Sequence, residues 1–284
     1  MTGAQPAPAI FRFLILGSGS SGNATLVEGA GTRLLLDAGL GPRRLAECLR
    51  NAGVDPASLS ALLLSHEHND HVLGAAAFSR RHRVPIYGSR GTRAALGATA
   101  REAESFEVFK SGDVFRVGAL SISAPPVPHD AVEPVAFLVA CDDRTFGHAT
   151  DLGHIPDELT RALGTCHALV LEANYDPAML RSGPYPWALK QRIASPRGHA
   201  SNAEAVRFVK NHLGSGCRTL VLAHLSESNN HPDVIRLAMA QALREIGRPD
   251  LRIEIAERRG DGGWIEIVTP RGETTQAEQL TLWT

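Results

Sequence analysis

Ser65-His66-Glu67-His68-Asn69-Asp70-His71 follows the apolar run Ala61 to Leu64, and its reading governs the rest of the chain. It is an H-x-H-x-D-H stretch that crowds metal-ligating side chains into very few residues. Such density is too high for one helix face and suits a loop leaving a strand. On a tight loop alternate residues converge on one side, so His66 and His68 could grip one cation while Asp70 and His71 turn toward a second. Imidazole nitrogen suits zinc, iron and related ions, and carboxylate oxygen admits harder ions such as manganese. Histidines and acids also gather on solvated loops without any ion, so the outcome rests on what the flanking sequence supplies.

It supplies more ligands, each where a strand should end. Asp37 closes Leu34-Leu35-Leu36, and His129 stands beside Pro128 after Ser121–Val127. Asp151 follows Arg144–Thr150 and precedes Gly153, while His224 closes Leu220-Val221-Leu222-Ala223. Any one of them alone reads as a turn aspartate or an ordinary histidine. Together they complete two sets: His66, His68 and His129 for one ion, and Asp70, His71 and His224 for another, with Asp151 as a carboxylate bridge. Each ion then keeps an open position for a shared water, as catalytic sites do. Asp37 is better cast as an acceptor that orients a ligand imidazole.

At 284 residues the chain can bury a sizeable core. Its formal net charge of −1 gives no bulk attraction to nucleic acid or acidic membranes. Cys48, Cys141, Cys166 and Cys217 are scattered with no C-x-x-C pair, which fits reduced thiols and a cytoplasmic protein. No segment has membrane-spanning length. Residues 1–9 read as a disordered Pro- and Ala-rich tail, and 10–284 as one domain.

Strands are expected at Phe11–Leu16, Ala24–Glu28 and Arg33–Leu36, with a glycine-rich turn, Gly17–Asn23, that lacks the G-K-[ST] ending of a phosphate loop. Helix, strand and helix follow around Pro42–Gly53, Leu62–Ser65 and Val72–Arg83. A strand-rich block covers Phe106–Phe109, Val114–Val117, Leu120–Ala124, Val135–Ala140 and Arg144–Gly147. Strands at Ala168–Leu171 and Thr219–Ala223 alternate with helices at Asn202–Leu213 and Val234–Ile246, and a terminal hairpin pairs Leu251–Glu257 with Trp264–Val268. Two strand blocks, each with helices, predict a four-layer α/β sandwich of two sheets with helices outside.

The ordered set Asp37, 66–71, His129, Asp151 and His224 resembles the metallo-β-lactamase-fold hydrolases, over nearly the whole chain. That resemblance implies an αββα sandwich with metals at one edge of the sheets. Flavodiiron-type members carry an acid where His68 stands, and the best-known zinc β-lactamases a cysteine where Asp151 stands, so neither activity is implied. Leu171-Glu172-Ala173-Asn174-Tyr175 and Gly198-His199-Ala200-Ser201-Asn202 resemble the H-E-A-T and G-H-S-T segments of the transfer-RNA 3′-processing endonucleases, with Leu171 and Asn174 departing from the pattern. In that family the matching Glu and His, here Glu172 and His199, form a proton-donating pair. Gly17–Asn23, Gly198–Asn202 and Leu225-Ser226-Glu227-Ser228-Asn229-Asn230 resemble the YycJ (WalJ, VicX) group, which implies a metal-dependent 5′-to-3′ DNA exonuclease.

The expected chemistry is therefore phosphodiester hydrolysis with two divalent ions per chain, zinc or manganese, with iron also admissible. A hydroxide bridging the ions attacks phosphorus, Asp70 serves as a proton acceptor besides its ligand role, and His199 protonates the leaving oxygen. Asn229 and Asn230 are candidate substrate-binding residues, although a turn before Pro232 explains them equally well. Arg80-Arg81-His82-Arg83 could track a nucleic-acid backbone or simply end a helix. The expected partner is nucleic acid, DNA before RNA, or a nucleotide-like phosphodiester, with a homodimer open and no membrane. Rival readings are a small-molecule hydrolase of thioesters, lactones or cyclic phosphodiesters, and a regulatory binding protein.

Overall fold

Residues 9–258 and 262–269 are described by the structure, a computed structural model. The first half runs β1 (Phe11–Gly17), β2 (Ala24–Gly29), β3 (Thr32–Leu36), α1 (Pro42–Asn51), β4 (Ala61–Leu64), α2 (Asn69–Val72), α3 (Ala75–His82), β5 (Ile86–Ser89), α4 (Arg90–Leu96) and β6 (Phe106–Phe109). The second begins with β7 (Val114–Val117), β8 (Leu120–Ser123), β9 (Phe137–Cys141), β10 (Arg144–Ala149), α5 (Asp157–Gly164) and β11 (Ala168–Glu172). It continues with α6 (Pro177–Ser182), α7 (Trp187–Ile193), α8 (Asn202–His212), β12 (Thr219–Ala223), α9 (Pro232–Glu245), β13 (Arg252–Ile255) and β14 (Ile265–Glu266). One sheet is ordered β14-β1-β2-β3-β4-β5-β6 and the other β13-β12-β11-β10-β9-β8-β7. The α/β sandwich expected from the sequence is the architecture observed.

Period-two alternation divides the apolar residues between layers. Phe11, Phe13 and Ile15 of β1, Leu34 and Leu36 of β3, and Val221 and Ala223 of β12 point into the core between the sheets. Their neighbours Leu14, Leu16 and Leu35 pack beneath α1 and α3, and Leu220 and Leu222 beneath the second helix layer. Strands buried on both faces read as unbroken apolar runs, which is why β3, β4, β11 and β12 stand out in the sequence.

Three expectations require correction. The terminal hairpin does not form: β13 pairs parallel with β12 (Thr219↔Arg252), whereas β14 pairs antiparallel with β1 (Arg12↔Glu266). Each segment satisfies a different sheet edge, and Ile265 and Ile267 reach the inter-sheet core. The glycine-rich turn supposed to join them includes residues 259–261, which lie outside the described residues, as does the tail at 1–8. The helix expected at Val72–Arg83 is divided around Gly74, where a side chain would run into the Leu40 carbonyl. Finally, Asp70 and His71 sit on the one-turn helix α2 rather than on an open loop.

Candidate metal centre

The site is a product of parallel register. Leu36 of β3 lies beside Leu63 of β4, and Ala149 of β10, Leu171 of β11 and Leu222 of β12 lie in line. Their carboxyl ends therefore meet at one edge, where open α/β sheets present ligand sites. Asp37, the 65–71 run, Asp151, Glu172 and His224 are delivered there. His129 joins them from the connection between β8 and β9, and His199 from the loop preceding α8.

The structure brings the expected sets together. Single ligand atoms of His66, His68 and His129 lie within 4.8 Å of one another, and so do those of Asp70, His71 and His224. Asp151 falls between the sets, sharing a group of the same span with His66 and His71. His129 Nε2 is 3.3 Å from His68 Nδ1, and His71 Nε2 is 3.1 Å from Asp151 Oδ2. Asp70 Oδ2 lies 3.6 Å from both His71 Nε2 and His224 Nε2.

The opposite ring nitrogens of His66, His71, His129 and His224 are engaged, which fixes their tautomers. Carboxylates and carbonyls only accept, so His71 Nδ1 donates to Asp37 Oδ2 (2.8 Å) and His129 Nδ1 to the Gly198 carbonyl (2.9 Å). Ser65 gives its hydroxyl proton to Asp37 and stands 3.0 Å from His66 Nδ1. Asp37 thus orients His71 directly and His66 through Ser65.

Glu172 is fully buried and does two jobs. Its Oε1 accepts from His199 Nδ1 (2.8 Å) and from His224 Nδ1 (2.9 Å). Oε2 accepts from the backbone N–H of Leu152 (2.9 Å) and Ala200 (3.2 Å). Burial opposes its charge, but His199 and His224 outweigh burial and hold its carboxyl below the usual range. Burial likewise opposes a charge on His199, and Glu172 overcomes it and raises the imidazole.

A sequence pattern of the beta-lactamase superfamily domain matches residues 32–225. The chain belongs to the beta-lactamase superfamily. Its relatives include a protein named exodeoxyribonuclease WalJ in Streptococcus pneumoniae, 33% identical over 239 residues that cover 83% of this chain and 89% of that one. Exodeoxyribonuclease YycJ of Bacillus anthracis is 32% identical over 237 residues, 83% of this chain and 90% of that one. Among solved structures, YhfI of Bacillus subtilis superimposes with a TM-score of 0.70 at 19% identity, covering 90% of this chain and 99% of its own. The short form of human tRNase Z gives 0.64 at 17% identity, with the same coverages.

The superfamily fold implies divalent metal binding, and the residues present fit it. His66 Nε2 and His224 Nε2 are buried without a hydrogen-bond partner, and Asp151 Oδ2 faces His71 Nε2 without hydrogen-bond geometry. Lone pairs thus confront lone pairs around a common space, an arrangement that a cation relieves. The electrostatics agree. Burial opposes charge on His71 and His224, yet Asp151 with Asp37 holds His71 well above its usual range. Asp151, Asp70 and Glu172 carry His224 to about 10. His66 goes the other way, pushed well below its usual range by burial and by His71. The carboxylates thus favour positive charge at His71 and His224, and three buried polar atoms of the cluster lack a hydrogen-bond partner.

Several supporting residues escaped the sequence reading. Asn23 N donates to the Asp70 carbonyl (2.7 Å) and its amide reaches His71 Nε2 (3.0 Å), so the glycine-rich turn holds the α2 ligands. Ser18 Oγ receives His224 N–H (2.9 Å), and Asn174 Nδ2 donates to the His224 carbonyl (2.8 Å). The signal was available: the small residues of Gly17–Asn23 allow the backbone to approach, and Asn23 ends that turn. Asn229 and Asn230, the candidate substrate-binding residues, are engaged within the protein. The Asn230 amide is spent on the Ala173 carbonyl and Asn202, Asn229 hydrogen-bonds Ser226, and both are buried. They hold loops together. Among the described residues no helix is long and apolar enough to cross a membrane.

Proposed function

We propose that this chain is a metal-dependent nuclease that hydrolyses phosphodiester bonds in DNA, before RNA, and shortens a strand from its 5′ end. The observation that carries this reading is His199, aimed by buried Glu172 beside the imidazole–carboxylate cluster, in a chain whose relatives over most of their length are named exodeoxyribonucleases. His66, His68 and His129 would hold one divalent ion and Asp70, His71 and His224 another, with Asp151 between, zinc or manganese supplying Lewis-acid polarisation and a lowered water pKa when bound.

The chain's own residues do the rest. Glu172 fixes Nδ1 of His199, so the remaining ring nitrogen, Nε2, is the atom that gives its proton to the departing oxygen. Asp70, with its side chain 25% exposed and braced by Asn23, is placed to take up the proton released by the attacking water. Asp37 and Ser65 keep His66 and His71 from rotating. Scattered cysteines fit a cytoplasmic enzyme with reduced thiols, and the homodimer remains part of the proposal.

The deciding experiment compares wild type with His199→Ala on end-labelled DNA and on bis-p-nitrophenyl phosphate. p-Nitrophenolate departs without a proton, whereas a nucleoside alkoxide does not. Loss of general-acid catalysis should cost about 10²–10⁴-fold on DNA and far less on the activated diester. Equal losses on both substrates would remove His199 from the proton step, and absence of ordered shortening by wild type would remove the exonuclease reading.

A further inference from the structure

Between α1 and α3 the surface opens into a cavity of about 550 Å³, apart from the candidate metal centre. Ala46 and Ala77 leave its floor shallow, while Arg43, Arg50, Arg80 and Arg81 form its walls. The spacing is helical: Arg43, Ala46 and Arg50 share one face of α1, and Ala77, Arg80 and Arg81 one face of α3. Arg43 and Arg50 are two turns apart, so the guanidinium row extends roughly 10 Å along the groove.

These charges are poorly neutralised from within. Among the described residues, no ion pair is recorded for Arg43, Arg50 or Arg81, and Arg80 meets Glu102 only at 3.8 Å with both side chains exposed. The surplus is local, because the whole chain carries a formal charge of −1. His82, at the end of α3, reports the same field: burial depresses its pKa, and Arg81 and Arg50 depress it further.

The groove also begins beside the metal loop. α1 and α3 follow the parallel strands β3 and β4, so both start at the sheet edge that carries Asp37 and the 65–71 run. Gly39 packs so closely on Asp70 that a side chain there would overlap the Asp70 carbonyl, and Gly74 abuts Leu40 in the same way. Pro42, the first residue of α1, lines the cavity. A strand passing through the centre could therefore continue down this groove.

We infer that the α1–α3 arginine groove is a second nucleic-acid contact, binding the sugar–phosphate backbone of the substrate strand beyond the scissile bond. The inference rests on the nuclease reading above. Guanidinium forks match phosphate oxygens bidentately, and backbone contacts of this kind grip without reading sequence. A chain near neutrality has no general field to hold a polyanion, so a dedicated row of cations has to do so.

The test uses the metal-loaded full chain, a long nuclease-resistant phosphorothioate oligonucleotide for binding, and DNA, a trinucleotide and bis-p-nitrophenyl phosphate for turnover. Arg43→Gln, Arg50→Gln and Arg81→Gln are combined. The variant should bind the long strand about tenfold more weakly or worse, with the slope of log affinity against log salt reduced by about 2. KM for long DNA should rise, while turnover of the trinucleotide and the small diester stays at the wild-type value. Should the triple variant fold poorly, single Arg50→Glu and Arg81→Glu exchanges should weaken binding in the same direction, each reducing the slope by about 0.7. Unchanged affinity and salt slope, with wild type still digesting DNA, would overturn the groove and leave the nuclease reading intact. Loss of binding to poly-glutamate but not to DNA would make the groove a protein contact and also overturn it. Failure of wild type to digest any DNA would remove the nuclease reading itself.

Discussion

Asp37, Asp151 and His224 share an unusual backbone, with φ of 61°, 59° and 58° at or just beyond strand ends. Left-handed conformations cost L-residues about 1–3 kcal/mol each and persist where the surroundings over-determine them. Here each one turns its side chain back over the sheet edge and into the centre. The sequence shows where those residues stand but not this strain, since nothing distinguishes a left-handed aspartate from a turn aspartate. The dual role of Glu172 was hidden for a similar reason, because His199 and His224 are distant in sequence from each other. It makes a sharp prediction. Glu172→Gln replaces an acceptor of two backbone N–H groups with either an NH₂ or a misoriented amide, so both imidazoles lose their anchor. Activity on bis-p-nitrophenyl phosphate should fall about 10–100-fold and bound metal, measured by elemental analysis, should fall with it. Full metal content with unchanged turnover of that diester would show that Glu172 does not orient His224. Gly39→Ala should likewise displace Asp70 and lower metal content, without removing any ligand.

Strands buried on both faces were legible from their apolar runs, whereas short elements of mixed polarity were not. Ile86–Ser89 and the helices α4, α5, α6 and α7 span only four to eight residues each, too few turns for a period to emerge. The terminal strands were recognised individually and mispaired, because alternation specifies a face and not a partner. Within the first sheet, Glu28 stands directly opposite Arg12 on β1 and Arg33 on β3. Burial raises its carboxyl pKa, but hydrogen bonds from Arg12 and Arg33, at 2.7 Å each, win and hold it below the ordinary glutamate value. A depressed carboxylate contributes stability that is full above the unfolded pKa and is lost as pH falls through the folded one. Glu28→Gln should therefore lower the melting temperature at pH 7 by an amount equivalent to about 1 kcal/mol. The gap to wild type should close as pH drops below about 4. A gap independent of pH would mean that the arginines are not what holds this triad.

At the scale of the molecule, the centre draws on both sheets and on connections far apart in sequence, from Asp37 to His224. A cation bound only by the assembled centre stabilises the native state by mass action, about 4 kcal/mol at a free concentration a thousand times Kd. Chelation should lower the melting temperature by several degrees, and restoring zinc or manganese should reverse it; a melting curve indifferent to chelator would mean the histidine cluster holds no ion. The architecture was legible because ligand positions and apolar runs agreed on which strand ends meet. The placement of Ile265–Glu266 at the outer edge of the first sheet was not, since it depends on a pairing between β1 and β14.

That pairing has a consequence for how the chain folds as it is made. β1 leaves the ribosome well before the strand that covers its outer edge, Ile265–Glu266, which emerges some 250 residues later. At about 5–20 residues per second this is a wait of roughly 12–50 s. Throughout it, the apolar segment Phe11–Leu16 offers unpaired backbone to any neighbouring nascent chain. Arg12, which stacks on Trp264 at 4.0 Å in the finished protein, meanwhile places a charge on that open edge. A charge on an open edge disfavours edge-to-edge pairing, and the same side chain becomes the seat of Trp264 once β14 arrives.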